Sequence, residues 1–99
     1  EITVEVDGNN SENVYKKYML ALISEDLLQF DKVEASFTIG YVDENTIGIS
    51  ARSLGNIDVQ NIMYKLGGGG HKTDAATEIK DKNIEEVKIE LIKVLKEGI

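Results

Sequence analysis

The chain has 99 residues, of which 41% are hydrophobic and 29% charged, with a formal net charge of -7 at pH 7 and no cysteine. This length suits one small domain with a single core, and the composition excludes a disordered chain. The lack of cysteine excludes disulfides and thiolate metal sites. The negative net charge argues against binding of long duplex nucleic acid. No apolar run approaches the roughly 18 residues of a membrane span.

The first 30 residues predict a strand and a helix. Residues Ile2 to Val6 alternate between apolar and polar side chains, which is typical of a short strand. Residues 11–30 have helical spacing, with Ser11 or Asn10 as the expected N-cap. The apolar stripe predicted for this helix consists of Val14, Tyr18, Leu22, Leu27 and Leu28, flanked by Tyr15, Met19 and Ile23.

Residues 33–52 predict an antiparallel hairpin. Apolar residues alternate with small or polar ones from Val33 to Val42, which indicates a half-buried strand. A turn over residues 43–45 leads into a second alternating strand over residues 46–52. The second face of this hairpin is made of Ser, Thr and Gly, so we expect open space above that face.

The remaining residues predict a short helix, a strand and a longer helix. Asp58 has the position of an N-cap, and Gly67 that of the left-handed residue after a helix. A strand is expected over residues 75–79, and Asn83 with Glu86 resembles a capping box that opens the last helix. The sequence therefore predicts an α/β domain, a mixed sheet of about four to five strands with packed helices.

Four consecutive glycines, Gly67 to Gly70, precede His71, the single histidine of the chain. One glycine is explained by the helix cap, whereas each further ordered glycine costs about 0.5 to 1 kcal/mol relative to alanine. A flexible connector is one interpretation. The other is a cradle whose N–H groups bind a phosphate, with His71 beside it to contact phosphate or base.

Arg52 is the single arginine among eleven basic residues, and it ends the small, polar face of the hairpin. A guanidinium is suited to bidentate binding of an oxyanion. The stretch from Arg52 to Asp74 is slightly basic although the chain is acidic. The sequence therefore favours a small anion as the ligand there.

The sequence from Ile49 to Thr77 resembles the DHHA1 domain of the DHH/DHHA1 phosphoesterases. The matching motifs are the S-x-R-S strand end at Ser50 to Ser53, the helix start near Val59, and GGGGH followed by Ala75 and Ala76. Within that family it is most similar to the cyclic-di-AMP phosphodiesterases of Gram-positive bacteria. Residues 1–99, which begin at Glu1 without a signal peptide, are then expected to be a single DHHA1 domain excised from a longer multidomain protein.

The resemblance implies substrate contacts at Arg52, Ser50, Ser53 and His71 and at the backbone of Gly68, Gly69 and Gly70. It implies no catalytic residue and no metal site in this chain, since a DHH domain of the same parent chain would hold Mn²⁺ and activate water. Relatives often carry Asn where this chain has Asp74, a carboxylate that would weaken phosphate binding if it pointed inward and that Lys72 could offset.

The resemblance also implies partners and a location. The ligand would be a cyclic dinucleotide or short oligonucleotide, and the domain would be cytoplasmic within a parent anchored in the cell membrane. Two alternatives remain: a DHHA1 domain of an oligoribonuclease or RecJ-like exonuclease, or a mainly structural module for packing or homodimerisation.

Overall fold

The computed structural model describes residues 2–6 and 17–98, which form five strands and three helices. The sheet has the order β1-β2-β3-β5-β4, with β1 parallel to β2 and the other pairs antiparallel. This confirms the predicted α/β class and mixed sheet. In chain order the elements are β1 (Ile2–Val6), α1 (Lys17–Leu27), β2 (Ala35–Asp43), β3 (Thr46–Ser53), α2 (Val59–Lys65), β4 (Gly69–His71), β5 (Asp74–Lys80) and α3 (Ile84–Gly98).

The hydrophobic core lies on one face of the sheet, under α2 and α3. Apolar side chains at alternate positions of β2 and β3 point to this face, and the buried side of each of the two helices packs on them. The core residues from the strands are Ala35, Phe37, Ile39, Ile47, Ile49, Ala51 and Ala75; those from the helices are Val59, Ile62, Met63, Ile84, Val87 and Leu91.

The opposite face of the hairpin is also buried, so the prediction of a half-buried strand is wrong for β2. Ser36 and Thr38 are fully buried there because α1 covers them. Ser24 of α1 hydrogen-bonds Thr38 (Oγ to Oγ1, 2.6 Å) and donates to the Ser50 carbonyl (2.9 Å), while Ser36 Oγ donates to the Ser24 carbonyl (2.6 Å). Small hydroxyl side chains thus let the helix approach the sheet through hydrogen bonds.

α1 differs from the helix predicted over residues 11–30. It ends at Leu27, and the next residues form a turn in which Phe30 is exposed. The predicted stripe is wrong at Leu22, which is 54% exposed, because Leu20 and Ser24 are the residues that face the sheet. The N-cap predicted at Ser11 or Asn10 lies outside the described residues.

α2 is bounded by the residues that the sequence predicts. The Asp58 carboxylate accepts a hydrogen bond from the Asn61 N–H, and Gly67 follows the helix with a φ of +91°. The Gly67 N–H donates to the Tyr64 carbonyl and the Gly68 N–H to the Met63 carbonyl, the pair of bonds of a Schellman motif. The helix is therefore short and stops where the glycines begin.

α3 opens with the predicted capping box. Asn83 Oδ1 accepts from the Glu86 N–H (2.8 Å), and Glu86 Oε1 accepts from the Asn83 N–H (3.1 Å). In the part of the chain that the structure describes, neither α3 nor another helix has the length and apolarity needed to cross a membrane.

Candidate functional site

Arg52 lies in a row of residues that crosses the sheet. It is directly opposite Ser36 of β2 on one side and Asp74 of β5 on the other, and Asp74 is in turn opposite His71 of β4. Residues paired in this way share one face of a sheet. Because Ser36 faces α1, the register brings Arg52, Asp74 and His71 to that same face, beyond the part that α1 covers.

Two hydrogen bonds from one nitrogen hold the Arg52 guanidinium against this face of the sheet. Its Nη1 donates to Asp74 Oδ1 at 2.5 Å and to the Ala51 carbonyl at 3.3 Å. The Arg52 side chain is 16% exposed and the Asp74 side chain 56% exposed. The guanidinium is therefore largely enclosed, whereas its carboxylate partner lies at the rim.

The glycine run is ordered secondary structure, which excludes the flexible connector. Gly67 caps α2, and Gly69 to His71 form β4, the outermost strand of the sheet. Gly68 passes so close to β5 that a Cβ there would lie 2.1 Å from the Ala76 carbonyl oxygen and 2.5 Å from the Thr77 Cβ. Gly70 has a φ of +141°, and its Cβ would lie 2.6 Å from the Ala75 Cα.

Gly69 differs from its three neighbours. Its φ lies outside the left-handed region, and no heavy atom beyond its chain neighbours lies within 4 Å of the place of a Cβ. Neither backbone conformation nor internal packing of the described residues therefore requires a glycine at this position. Because an edge strand presents unpaired backbone groups, a ligand could approach Gly69 closely.

A cavity of about 500 Å³ opens on this face, between α1 and the strands β3 and β5. Arg52 and Asp74 lie at one end, and the pair formed by Gly48 and Glu78 lies four residue pairs further along the strands. The remaining lining residues are mostly small or apolar: Leu20, Ala21, Val42, Ile49, Ser50, Gly67, Gly68, Ala76 and Thr77. The open space predicted over the polar face of the hairpin is thus present over β3, from which it extends over β5, whereas α1 covers Ser36 and Thr38 of β2.

The structure brings three of the seven predicted substrate contacts, Ser50, Arg52 and Gly68, to this cavity. Gly69 and Gly70 follow on β4, where Gly69 lines a separate, smaller cavity beside α2, and His71 is exposed beside Asp74. However, the Gly68 N–H is already donated to the Met63 carbonyl. A role for that N–H in phosphate binding stays a prediction and would require this bond to be shared or broken.

Ser53 is the predicted contact that lies apart from the others. It follows Arg52 in β3, so its side chain points to the opposite face, where it is 6% exposed. Its hydroxyl donates to the Ile57 carbonyl at 2.7 Å and so holds the loop before α2. We therefore leave Ser53 out of the candidate site.

Gly48 and Ala76 are not among the site residues predicted from the sequence, and Asp74 is named there only as a carboxylate that would weaken phosphate binding if it pointed inward. Their signal was the period of two in the strands, because Gly48 and Arg52 lie on one face of β3 and Asp74 and Ala76 on one face of β5. A Cβ at Gly48 would lie 2.9 Å from Val42 Cγ1, so the glycine lets side chains close the cavity floor. Among the described residues, no group of three or more His, Cys, Asp or Glu side chains could hold a metal ion.

Comparison with known proteins places these features in a family. Residues 4–98 match the DHHA1 domain. The chain is 49% identical over 75 residues to the cyclic-di-AMP phosphodiesterase PdeA of Listeria monocytogenes, covering 76% of the chain and 11% of PdeA. It is 44% identical over 77 residues to the cyclic-di-AMP phosphodiesterase GdpP of Bacillus subtilis, covering 78% of the chain and 12% of GdpP.

A solved structure has a similar fold. The pGpG-specific phosphodiesterase PggH of Vibrio cholerae superposes with a TM-score of 0.53 at 18% identity, over 68% of this chain and 25% of PggH. At this identity the likeness concerns the fold alone. The chain spans about an eighth of the length of the two curated relatives.

Proposed function

This chain belongs to the DHHA1 domain family, and on that premise we propose that it is the substrate-gripping domain of a cyclic-di-AMP phosphodiesterase. The observation that carries the proposal is the cavity that one enclosed arginine and the start of the glycine run, Gly67 and Gly68, line together, with the glycine edge strand following directly. Such a site offers a guanidinium held in position, backbone N–H groups of the edge strand and room for a planar ring.

Arg52 would bind the phosphodiester. Both of its hydrogen bonds to described residues come from Nη1, which leaves Nε and Nη2 for phosphate oxygens. A guanidinium favours such bidentate contacts, and its low exposure reduces the water that a phosphate must displace. Ser50, which is 4% exposed on the cavity floor, would lie beneath the bound nucleotide.

The glycine strand would provide the second contact. Gly69 and Gly70 lie on the outer strand of the sheet, where alternate N–H groups point away from β5. A ligand lying against this strand would explain why Gly69 is a glycine although its surroundings leave room for a side chain. His71, exposed at the end of the strand, would contact a phosphate oxygen or stack on a base.

Hydrolysis itself would belong to another part of the parent protein. We propose that a DHH domain of the same parent chain holds Mn²⁺, which when bound would supply an activated water for attack on phosphorus and open the cyclic dinucleotide to linear pApA. In this arrangement Arg52 and the glycine strand hold the phosphodiester in place through hydrogen bonds. The same proposal has the parent anchored in the cell membrane with this domain on the cytoplasmic side.

Titration of the 99-residue chain with cyclic-di-AMP and with pApA, followed through backbone amide NMR shifts, tests the proposal. We expect shifts to concentrate at Gly69 to His71 and around Arg52, while α3 on the opposite face stays unchanged. The same titration of Arg52→Ala is expected to show much smaller shifts. Shifts with pApA alone would favour an oligoribonuclease, and none with either ligand at millimolar concentration would favour a structural module.

A further inference from the structure

We propose that Asp74 is a specificity-determining residue, which makes this site favour a phosphodiester over a terminal phosphomonoester. The inference rests on the proposed function, because it concerns the phosphate that Arg52 would bind. It starts from one observation, that the arginine of the cavity is already paired with a carboxylate that faces the same space.

The register fixes this pair. Arg52 and Asp74 are direct partners on β3 and β5, and their side chains lie on the same sheet face. The contact of 2.5 Å uses only Nη1 of Arg52, so the carboxylate leaves part of the guanidinium available. A phosphate bound to the remaining nitrogens would therefore lie close to the carboxylate of Asp74.

Among the described residues that line the cavity, Asp74 is the carboxylate nearest to Arg52 and so to that phosphate. Glu78 also lines the cavity, but it is four residues further along β5, or about 13 Å at the rise of an extended strand. This exceeds the Debye length of about 8 Å at physiological ionic strength, so its effect on the phosphate is largely screened. Asp74 therefore determines the local negative charge near Arg52.

The pairing changes how the site responds to the charge of the ligand. A phosphodiester carries one negative charge, whereas a terminal phosphomonoester, with a second pKa near 6, carries between about 1.5 and 2 at pH 7. Arg52 alone would favour the more highly charged group. With Asp74 beside it the local charges nearly cancel, so the additional negative charge gains little and is repelled by the carboxylate.

This difference suits a site that takes a cyclic diester and gives up a linear product. Opening the ring converts one phosphodiester into a terminal phosphomonoester, which an unpaired arginine would hold more tightly than the substrate. Asp74 removes that advantage and so favours release of the product.

The experiment uses two ligands that differ in this charge and by one methyl group: pApA, and pApA whose terminal phosphate carries a methyl ester. Dissociation constants for both are measured with the 99-residue chain and with Asp74→Asn, which removes the carboxylate charge and keeps an oxygen that can accept from Arg52. Glu85→Gln is the matched control, because it removes one negative charge from an exposed position on α3, on the other face of the sheet.

We expect Asp74→Asn to tighten binding of pApA relative to its methyl ester by about three- to tenfold, and Glu85→Gln to change that ratio less than twofold. An unchanged ratio in Asp74→Asn would overturn the inference while the proposed function stands. Weaker binding of both ligands would also overturn it and would make Asp74 a positioning residue for Arg52. If neither protein bound either ligand, the proposed function would fail and the inference with it.

Discussion

Gly68 lies against Thr77 so closely that a Cβ on the glycine would be 2.5 Å from the Cβ of the threonine. The two residues are also linked through the end of α2, because Thr77 Oγ1 donates to the Leu66 carbonyl at 3.0 Å. The second glycine of the run is therefore where helix α2 is joined to strand β5.

Gly68→Ala is expected to destabilise the fold. The new methyl group would meet the Ala76 carbonyl oxygen at 2.1 Å, a backbone atom that moves only if β5 shifts. Such overpacking typically costs about 1 to 3 kcal/mol. Urea denaturation followed by circular dichroism measures the change, and a midpoint equal to that of the wild type would show that the strand adapts without cost.

Gly69→Ala is expected to leave stability nearly unchanged and to weaken nucleotide binding. No atom of the described residues beyond its chain neighbours obstructs a methyl group there, so the free energy of unfolding should stay within about 0.5 kcal/mol of the wild-type value. Nucleotide affinity should fall about tenfold or more, because the methyl group would hold the ligand away from the backbone. Both are measurable on one preparation, by denaturation and by titration with cyclic-di-AMP. Unchanged affinity would remove Gly69 from the proposed contact.

Local signals in the sequence predicted both ends of α2 and the start of α3 correctly. Asp58 and Gly67 at α2, and Asn83 with Glu86 at α3, act through hydrogen bonds within a few residues of the chain. The strands of the hairpin were predictable for a similar reason, because alternation of side chains is visible in a short window. These features need no knowledge of the rest of the fold.

The features that depend on distant pairing were not predictable. β4 is made of residues with low strand propensity and exists because it pairs with β5. The Arg52–Asp74 contact joins residues 22 positions apart and depends on the β3–β5 register. The buried side of α1 was misassigned because Ser24 packs through hydrogen bonds, which a search for apolar periodicity does not detect.

Ser24→Ala is expected to destabilise the packing of α1 on the sheet. The substitution removes a hydroxyl that bonds both Thr38 Oγ1 and the Ser50 carbonyl, and it leaves these buried groups without that partner. Leaving a buried polar group unsatisfied costs about 1 to 3 kcal/mol. The denaturation midpoint measures the loss. A midpoint equal to that of the wild type would show that the two hydrogen bonds of the Ser24 hydroxyl do not stabilise the packing of α1.

Asp43 is expected to make a small contribution to acid stability. Hydrogen bonds from the Asn45 N–H and the Thr46 side chain lower the pKa of its carboxyl below the ordinary value. A folded-state pKa below the unfolded one stabilises the fold above the unfolded pKa, and this contribution is lost as the pH falls through the folded pKa. Asp43→Asn should therefore reduce the pH dependence of unfolding in the acid range only. NMR titration of the Asp43 carboxyl carbon checks the direction, and an unshifted or raised pKa would contradict it.

Arg52→Ala is expected to weaken nucleotide binding strongly and to change stability little. The ion pair that it removes involves a half-exposed carboxylate, and such pairs contribute about 0 to 1 kcal/mol. A charged hydrogen bond to phosphate is worth about 1.5 to 3 kcal/mol, so affinity for cyclic-di-AMP should fall by one to two orders of magnitude. Arg52→Lys should recover only part of this loss, because an ammonium lacks the planar fork.

Lys82→Ala provides the matched control for Arg52. Lys82 is also a partly exposed cation with a carboxylate partner, Glu90, but this pair joins the chain before α3 to α3 itself and lies outside the cavity lining. Each of the two alanine variants removes one positive charge and one ion pair, so a general effect of the more negative net charge would weaken binding equally in both. A loss of nucleotide affinity in Arg52→Ala alone would indicate direct contact between the guanidinium and the ligand. Equal losses of affinity in both variants would indicate that Arg52 acts only through the overall electrostatic potential of the protein.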